Sequence, residues 1–461
     1  MSAQPVIITT PRDRPGSPAP ARRTPMAGES PPRPRPAPAT RDPAAEAVAA
    51  PPPAPDPAPA GRLGLCALLA ETAHVHPHRV AFVDPADKRA WSGRAPITWT
   101  YAAATEIVSR LANGLRTWRL PKGSRIGLSL AGGAESALAY LAIEAAGHCP
   151  CLLPPGWSED DLVAGVQAAG IAAVLCQARA GNAAPAETMR RVALRYFGLR
   201  YLAAFGPDVP DGVISLDGMA LDGTGGPFAA QAAGGLVSFA GGDPARPVHR
   251  SGNALLAAIA LHHTRIGIAP GERILSLLPF SDLRAVVTGL GTALTGGAGL
   301  ETLPVFSALP FAETLARPLP THLVAPAGLE RNLAASRLPD TLRSCSLVHR
   351  APSAFPARAL AADGAHPVID VVAFDEVALL SGTRGRDDVL RTLADPERSP
   401  LPDALIAIRA EEDGRLAFRG EACRTALLQR GNSPEKTAEA WSETRFRATV
   451  RAGRVTALTL G

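Results

Sequence analysis

The chain has 461 residues, 46% of them apolar and 19% charged, enough to bury more than one hydrophobic core. Lys and Arg number 47 against 42 Asp and Glu, a formal net charge of +5, which is a modest arginine excess and not the dense basic face of a nucleic-acid binder. No run reaches the roughly 18 consecutive apolar residues of a membrane span, and the first residues lack the apolar segment of a secretory signal.

Residues 1–60 are dominated by Pro, Ala and Arg. Arg12, Arg14, Arg22, Arg23, Arg33 and Arg35 stand among prolines without aromatic neighbours, so a solvated tail is expected rather than a single-strand-binding segment. The run Pro51–Pro57 holds neither a helix nor a sheet ladder. The texture then changes. Leu65, Leu68, Leu69 and Thr72 recur at helical spacing and lead into the strand-like Arg79–Asp84.

Apolar runs and helical patterns alternate from there. Ile97–Thr100, a helix through Ile107, Leu111 and Leu115, Arg125–Leu130, a helix over 133–146 and Ala172–Cys176 follow in turn. The same texture restarts at Leu236–Phe239, with a helix Ala254–His262, Ile274–Leu278, a helix over 283–295 and Thr321–Ala325. Strands separated by helices of this length predict right-handed crossovers and a largely parallel, doubly covered sheet. From about 400 the short runs Ala404–Arg409 and Arg454–Leu458, set between Gly and charged turns, read as a β unit. The expected fold is α/β: a tail over 1–60, two stacked α/β subdomains over 61–235 and 236–399, and a small β unit over 400–461.

Few residues announce chemistry. There is no nucleophile elbow, H-E-x-x-H, Walker A loop or strand-borne G-x-G-x-x-G. His74, His76 and His78 are interrupted by Pro77 and lack a completing Cys or carboxylate set, so no metal is expected on them. His262 and His263 close an apolar helix, where imidazoles usually serve structure. Cys66, Cys149, Cys151, Cys176, Cys345 and Cys423 lie in apolar runs and never form C-x-x-C, as expected of buried thiols in a reducing, cytoplasmic setting. The segment Phe239–Val248 is a glycine-containing turn between a buried strand and a helix. Such a turn can approach a phosphate, and a plain surface connection has the same composition.

The order of Ile97-Thr98-Trp99-Thr100-Tyr101, Val108–Leu115, Pro121–Ile126 and Leu141–Gly147 with Pro150–Pro154 resembles the opening of AMP-binding, adenylate-forming acyl-CoA synthetases, and the similarity runs on with falling fidelity from about residue 65 to 461. That resemblance implies the large N-terminal domain of such an enzyme, with ATP and magnesium as cofactors. Segment 239–248 falls where the family carries a phosphate loop, Y-T-S-G-T-T-G-x-P-K. Gly242 and Pro247 agree with it and are the expected nucleotide-binding residues. The loop hydroxyls and second glycine are replaced by Ala240, Gly241, Asp243, Pro244 and Ala245, and the lysine by Val248.

By the same resemblance, Val348–Pro352 stands at the turn against the adenine, with His349 where glycine is usual. Val372–Glu376 stands at Y-G-x-T-E, making Glu376 the counterpart of the magnesium ligand. Phe446–Val450 stands at F-R-T-G-D, whose ribose-binding aspartate is Val450 here, and the acyl pocket is expected around His263–Asp282. The family continues through a hinge into a small domain carrying a catalytic lysine, whereas this sequence stops at Gly461, so that domain is expected to be absent. The reading is a degenerate synthetase-like protein acting as a non-catalytic ligand-binding or regulatory subunit for an acyl or aryl acid or its CoA thioester, with a protein partner, and with neither nucleic acid nor membrane. The alternative is an ATP-dependent acid:CoA ligase completed by a C-terminal domain from another chain.

Overall fold

The computed structural model describes residues 64–225, 234–355, 358–362, 364–428 and 439–461. The tail expected over 1–60 lies outside them. The strands form two eight-stranded sheets and one five-stranded antiparallel sheet, the mixed α/β architecture expected.

In the first sheet Cys149–Leu152, Arg125–Ser129, Ala173–Gln177 and Tyr201–Phe205 run parallel, each buried along nearly its whole length. Continuous apolar runs of this kind are what helices on both faces require. Leu236–Phe239 joins that core parallel to Cys149–Leu152, then reverses through a turn into the antiparallel Pro247–Arg250. The second sheet has its own parallel centre, in which Arg273–Ser276 lies between Gly299–Thr302 and Thr321–Pro326, and Leu342–Arg350 and Val368–Phe374 extend it.

The helix Ala134–Ala145 lies between the two. All twelve of its residues are buried, and it touches Arg125–Ser129 and Cys149–Leu152 of the first sheet and Val80–Val83 of the second. Its sequence, AESALAYLAIEA, spreads apolar residues over every side, which suits a helix covered all round, and its two buried glutamates are partnered by Lys88 and the Cys66 amide. A single hydrophobic cluster therefore spans both sheets.

The sheets do not divide where the sequence texture does. Val80–Val83 and Thr98–Thr100, from the stretch read as the first subdomain, are the last strands of the second sheet. Leu236–Phe239 and Pro247–Arg250, read as opening the second, complete the first, together with Thr425–Leu427 from the terminal β unit. A buried parallel strand has the same apolar signature in either sheet, so periodicity identifies strands without assigning them. The five-stranded sheet takes Ser353–Ala354, Ala407–Ala410, Arg415–Arg419, Ser442–Arg451 and Arg454–Leu460. The helix expected over 283–295 is present but carries a π-helical stretch at Val286–Gly291. No helix among the described residues is long and apolar enough to cross a membrane.

Candidate functional site

The turn between Phe239 and Pro247 is tight. Gly241 and Gly242 take φ of 66° and 76° in succession, left-handed values that glycine adopts without strain. The turn also braces itself, since the Asp243 carboxylate accepts a hydrogen bond from the Ala245 amide at 2.9 Å. On the neighbouring sheet, Val368–Phe374 ends at Asp375, which has φ of 44°. That left-handed residue turns the chain, and Glu376 follows.

Ser238 and Glu376 meet there. The Ser238 hydroxyl donates to Glu376 Oε2 at 2.7 Å, and both side chains are buried. Arg250, fully buried on the return strand, donates to the Glu376 carbonyl at 2.7 Å, to that of Val377 at 3.2 Å and to that of Ala422. Burial pushes the Glu376 carboxyl up from its ordinary pKa, against the opposing pull of Ser238, Arg250, Arg284 and Arg350. Arg284, at the start of the helix carrying the π stretch, is clamped by Asp282. Burial pushes its guanidinium down to about 10, with Arg350 adding repulsion and Glu376 opposing it.

Two guanidinium groups cover the turn. A Cβ on Gly242 would lie 3.6 Å from Arg350 Nη2, and one on Gly241 would lie 3.3 Å from Arg445 Nη2. Arg445 also pairs with Asp375 at 3.3 Å. Arg350 is exposed and has no hydrogen bond or ion pair among the described residues. The site is thus four arginines arranged around one buried carboxylate and a glycine turn.

The residues named from sequence fall as follows. Gly242 sits under Arg350, and Glu376 lies one hydrogen bond from the strand that leads into the turn. Pro247 is buried and opens the return strand opposite Phe239. Val248 is buried between Ser238 and Leu427. His349 is nearly buried, its Nε2 at 3.0 Å from Asp370 and its ring 5.1 Å from that of Phe355.

Val450 lies away from the turn. It is 47% exposed near the tip of the hairpin Ser442–Arg451/Arg454–Leu460, five residues or roughly 16 Å of strand beyond Arg445. The strand positions beside 374–376 are Arg445 and Phe446, whose ring centroid is 5.9 Å from that of Phe374.

Ser238, Arg250, Arg284, Arg350 and Arg445 were not singled out from sequence. Ser238 alone left a signal, as a lone hydroxyl in an apolar strand. His74, His76 and His78 are exposed around the end of the first helix, and no group of three or more His, Cys, Asp or Glu that could hold a metal occurs among the described residues. All six cysteines are buried and unpaired.

Residues 69–198 match the family model of AMP-binding enzymes. No curated protein sequence matches significantly. Among solved structures, apo MatB from Rhodopseudomonas palustris is similar with a TM-score of 0.67 at 16% identity, covering 86% of this chain and 78% of that one. The unliganded O-succinylbenzoate coenzyme A synthetase MenE from Bacillus subtilis gives 0.62 at 14% identity over 86% and 78%. The N-terminal subdomain of NpsA from Klebsiella oxytoca, in complex with anthranilyl-AMSN, gives 0.59 at 16% identity over 86% of this chain and 99% of that one. Residues 69–198 thus match the AMP-binding enzyme model, and the fold is similar to that of these adenylate-forming synthetases.

Proposed function

We propose that this chain is a non-catalytic relative of acid:CoA ligases that has kept the scaffold and serves as a ligand-binding or regulatory subunit. The observation that carries the reading is the turn's loss of phosphate donors: Ala240, Asp243 and Ala245 stand where the grip needs hydroxyls, and the Asp243 carboxylate is held inside the turn by the Ala245 amide. The neighbouring groups fit a magnesium–triphosphate poorly for separate reasons. Ser238 is committed to Glu376, burial favours the neutral form of that carboxyl, and the position of the loop lysine is a buried valine. Phosphate grip in such a turn depends on hydroxyls and a lysine, each charge-assisted bond contributing roughly 1.5–3 kcal/mol.

The ligand in this reading is a small acyl or aryl acid or its CoA thioester, the partner is a protein of the same pathway, and the setting is the cytoplasm. The deciding experiment is calorimetry with Mg-ATP together with pyrophosphate exchange over a panel of fatty and aromatic acids. Weak or absent ATP binding, no exchange, and thermal stabilisation by an acid or acyl-CoA are expected, since a ligand stabilises only the state it binds. A dissociation constant at or below ~10 μM, equivalent to about −7 kcal/mol, or any acid-dependent exchange, overturns the proposal. The second reading, an ATP-dependent acid:CoA ligase, draws on Glu376 lying beside the turn.

A further inference from the structure

On the outer side of the second sheet, away from the arginine cleft, the helices Ala308–Leu315 and Glu330–Ala335 are both short. The first stops before Pro318 and Pro320, and the second before Pro339. Prolines at those places prevent either helix from growing across the gap. What remains open is a cavity of about 450 Å³, within the range of small-molecule sites.

Its walls are apolar: Phe306, Phe311, Leu315, Leu329, Leu333 and Leu338. Leu315 and Leu333 belong to the buried core of this face, so the floor is the core itself. Phe306, at the open side, is 50% exposed. A second cavity of about 280 Å³, lined in part by Leu360 and Val368, shares Leu333, Ser336 and Leu338 with the first and continues the apolar path past the end of the second helix.

The polar groups of the larger cavity are few and sit at its rim. Arg337 is the only charged residue lining it, and neither the Arg337 guanidinium nor the Asn332 amide has a hydrogen-bond or ion-pair partner among the described residues. Glu313 and Asp340 lie close in sequence but do not line it. One uncompensated cation with an amide donor beside a deep apolar slot complements a specific chemistry.

We propose that this cavity binds an amphiphile with an unbranched apolar chain and an anionic head group, the chain lying over Leu315 and Leu333 and the head meeting Arg337 and Asn332. The site is independent of the cleft around Glu376, and its occupancy does not depend on whether that cleft handles nucleotide.

The test is calorimetry on the full chain with decanoate and with decan-1-ol, which share a chain and differ in charge. Decanoate binds more tightly than the alcohol. Ala312→Trp, which fills the slot from an exposed helix position, lowers decanoate affinity by at least about tenfold with an unchanged melting temperature. Ala316→Trp on the same wall does the same and guards against a folding defect in the first variant. Arg337→Glu weakens decanoate several-fold and leaves decan-1-ol unaffected, while Glu376→Gln changes neither. Absence of binding, binding that survives both tryptophans, equal affinity for acid and alcohol, or loss of binding in Glu376→Gln overturns the proposal. So does a groove that proves to be a self-association surface, seen as a concentration-dependent dimer that Ala312→Trp abolishes in a protein that ignores decanoate.

Discussion

The Ser238 hydroxyl donates to the Glu376 carboxylate at 2.7 Å across 138 positions of sequence, joining the strand before the glycine turn to the end of Val368–Phe374 on the other large sheet. Because burial raises the Glu376 pKa, the folded protein holds that proton more tightly than the unfolded chain does. Stability therefore falls as pH rises from the ordinary carboxylate range through the raised value. Glu376→Gln removes that slope. Melting temperature of the variant relative to the native protein is expected to rise from about pH 4 to about pH 8, and a fall over the same window contradicts the assignment.

The opposite sign is expected at Asp370. It is buried, bonded to Arg384 through both oxygens at 2.8 Å and to His349 at 3.0 Å, and these partners hold its carboxyl well below the usual range despite its burial. Its contribution is fully present above the ordinary carboxylate range and is lost as pH falls toward the depressed folded value. Asp370→Asn leaves the buried Arg384 with Glu330 as its one carboxylate and the Leu360 carbonyl beside it, so a loss near the lower end of about 3–5 kcal/mol is expected in urea denaturation at neutral pH, shrinking on acidification. A variant within about 1 kcal/mol of native at neutral pH would show the network to be energetically idle.

Arg250 ties the sheets together. It sits on the first, donates to the carbonyls of Glu376 and Val377 beyond the end of a strand of the second, and reaches Ala422, which follows the small sheet's Arg415–Arg419. Arg250→Met leaves three acceptors, two of them buried, without this donor, and Arg250→Lys reaches fewer of them than the guanidinium fork does. The methionine variant is expected to lose at least about 2 kcal/mol and the lysine variant less. Equal stability of all three proteins in denaturant melts would mean that water replaces the guanidinium.

Much of the scaffold was legible in the sequence because its physics is local. Ala173–Gln177 and Val368–Phe374 are strands wherever they end up, and the Ala134–Ala145 helix follows from small apolar residues set between glycines. Sheet membership was not legible, since Val80–Val83 and Leu236–Phe239 carry the same signature and go to different sheets. At the candidate site, the turn and Glu376 were named through a motif, which preserves order along the chain, and the fold brings them together. The arginines were missed because each comes from a different element and means nothing until the fold converges them. Val450, named through a short degenerate motif, lies near a hairpin tip while Arg445 of the same strand meets Asp375, a difference that only the paired strands reveal.

The two guanidiniums over the turn raise a question of cause: they either block a competent phosphate site or fill one that has lost its donors. Blockage predicts that Arg350→Ala with Arg445→Ala opens the turn and tightens Mg-ATP. Donor loss predicts no gain, because clearing space supplies neither hydroxyl nor lysine, and removing Arg445 frees the Asp375 carboxylate to face the phosphates. Two or three missing charge-assisted bonds amount to roughly 3–9 kcal/mol, more than relief of crowding by mobile side chains can return. The double variant is therefore expected to bind Mg-ATP within about threefold of the native protein, both weaker than ~1 mM. Pyrophosphate serves as the control for charge. Arg350 is the one cation of the four with no hydrogen bond or ion pair among the described residues, so any weak pyrophosphate binding by the native protein disappears in Arg350→Ala and persists in Glu376→Gln. A gain of about tenfold or more in ATP affinity on removing both arginines would establish blockage, and with it a nucleotide site that is intact beneath its cover.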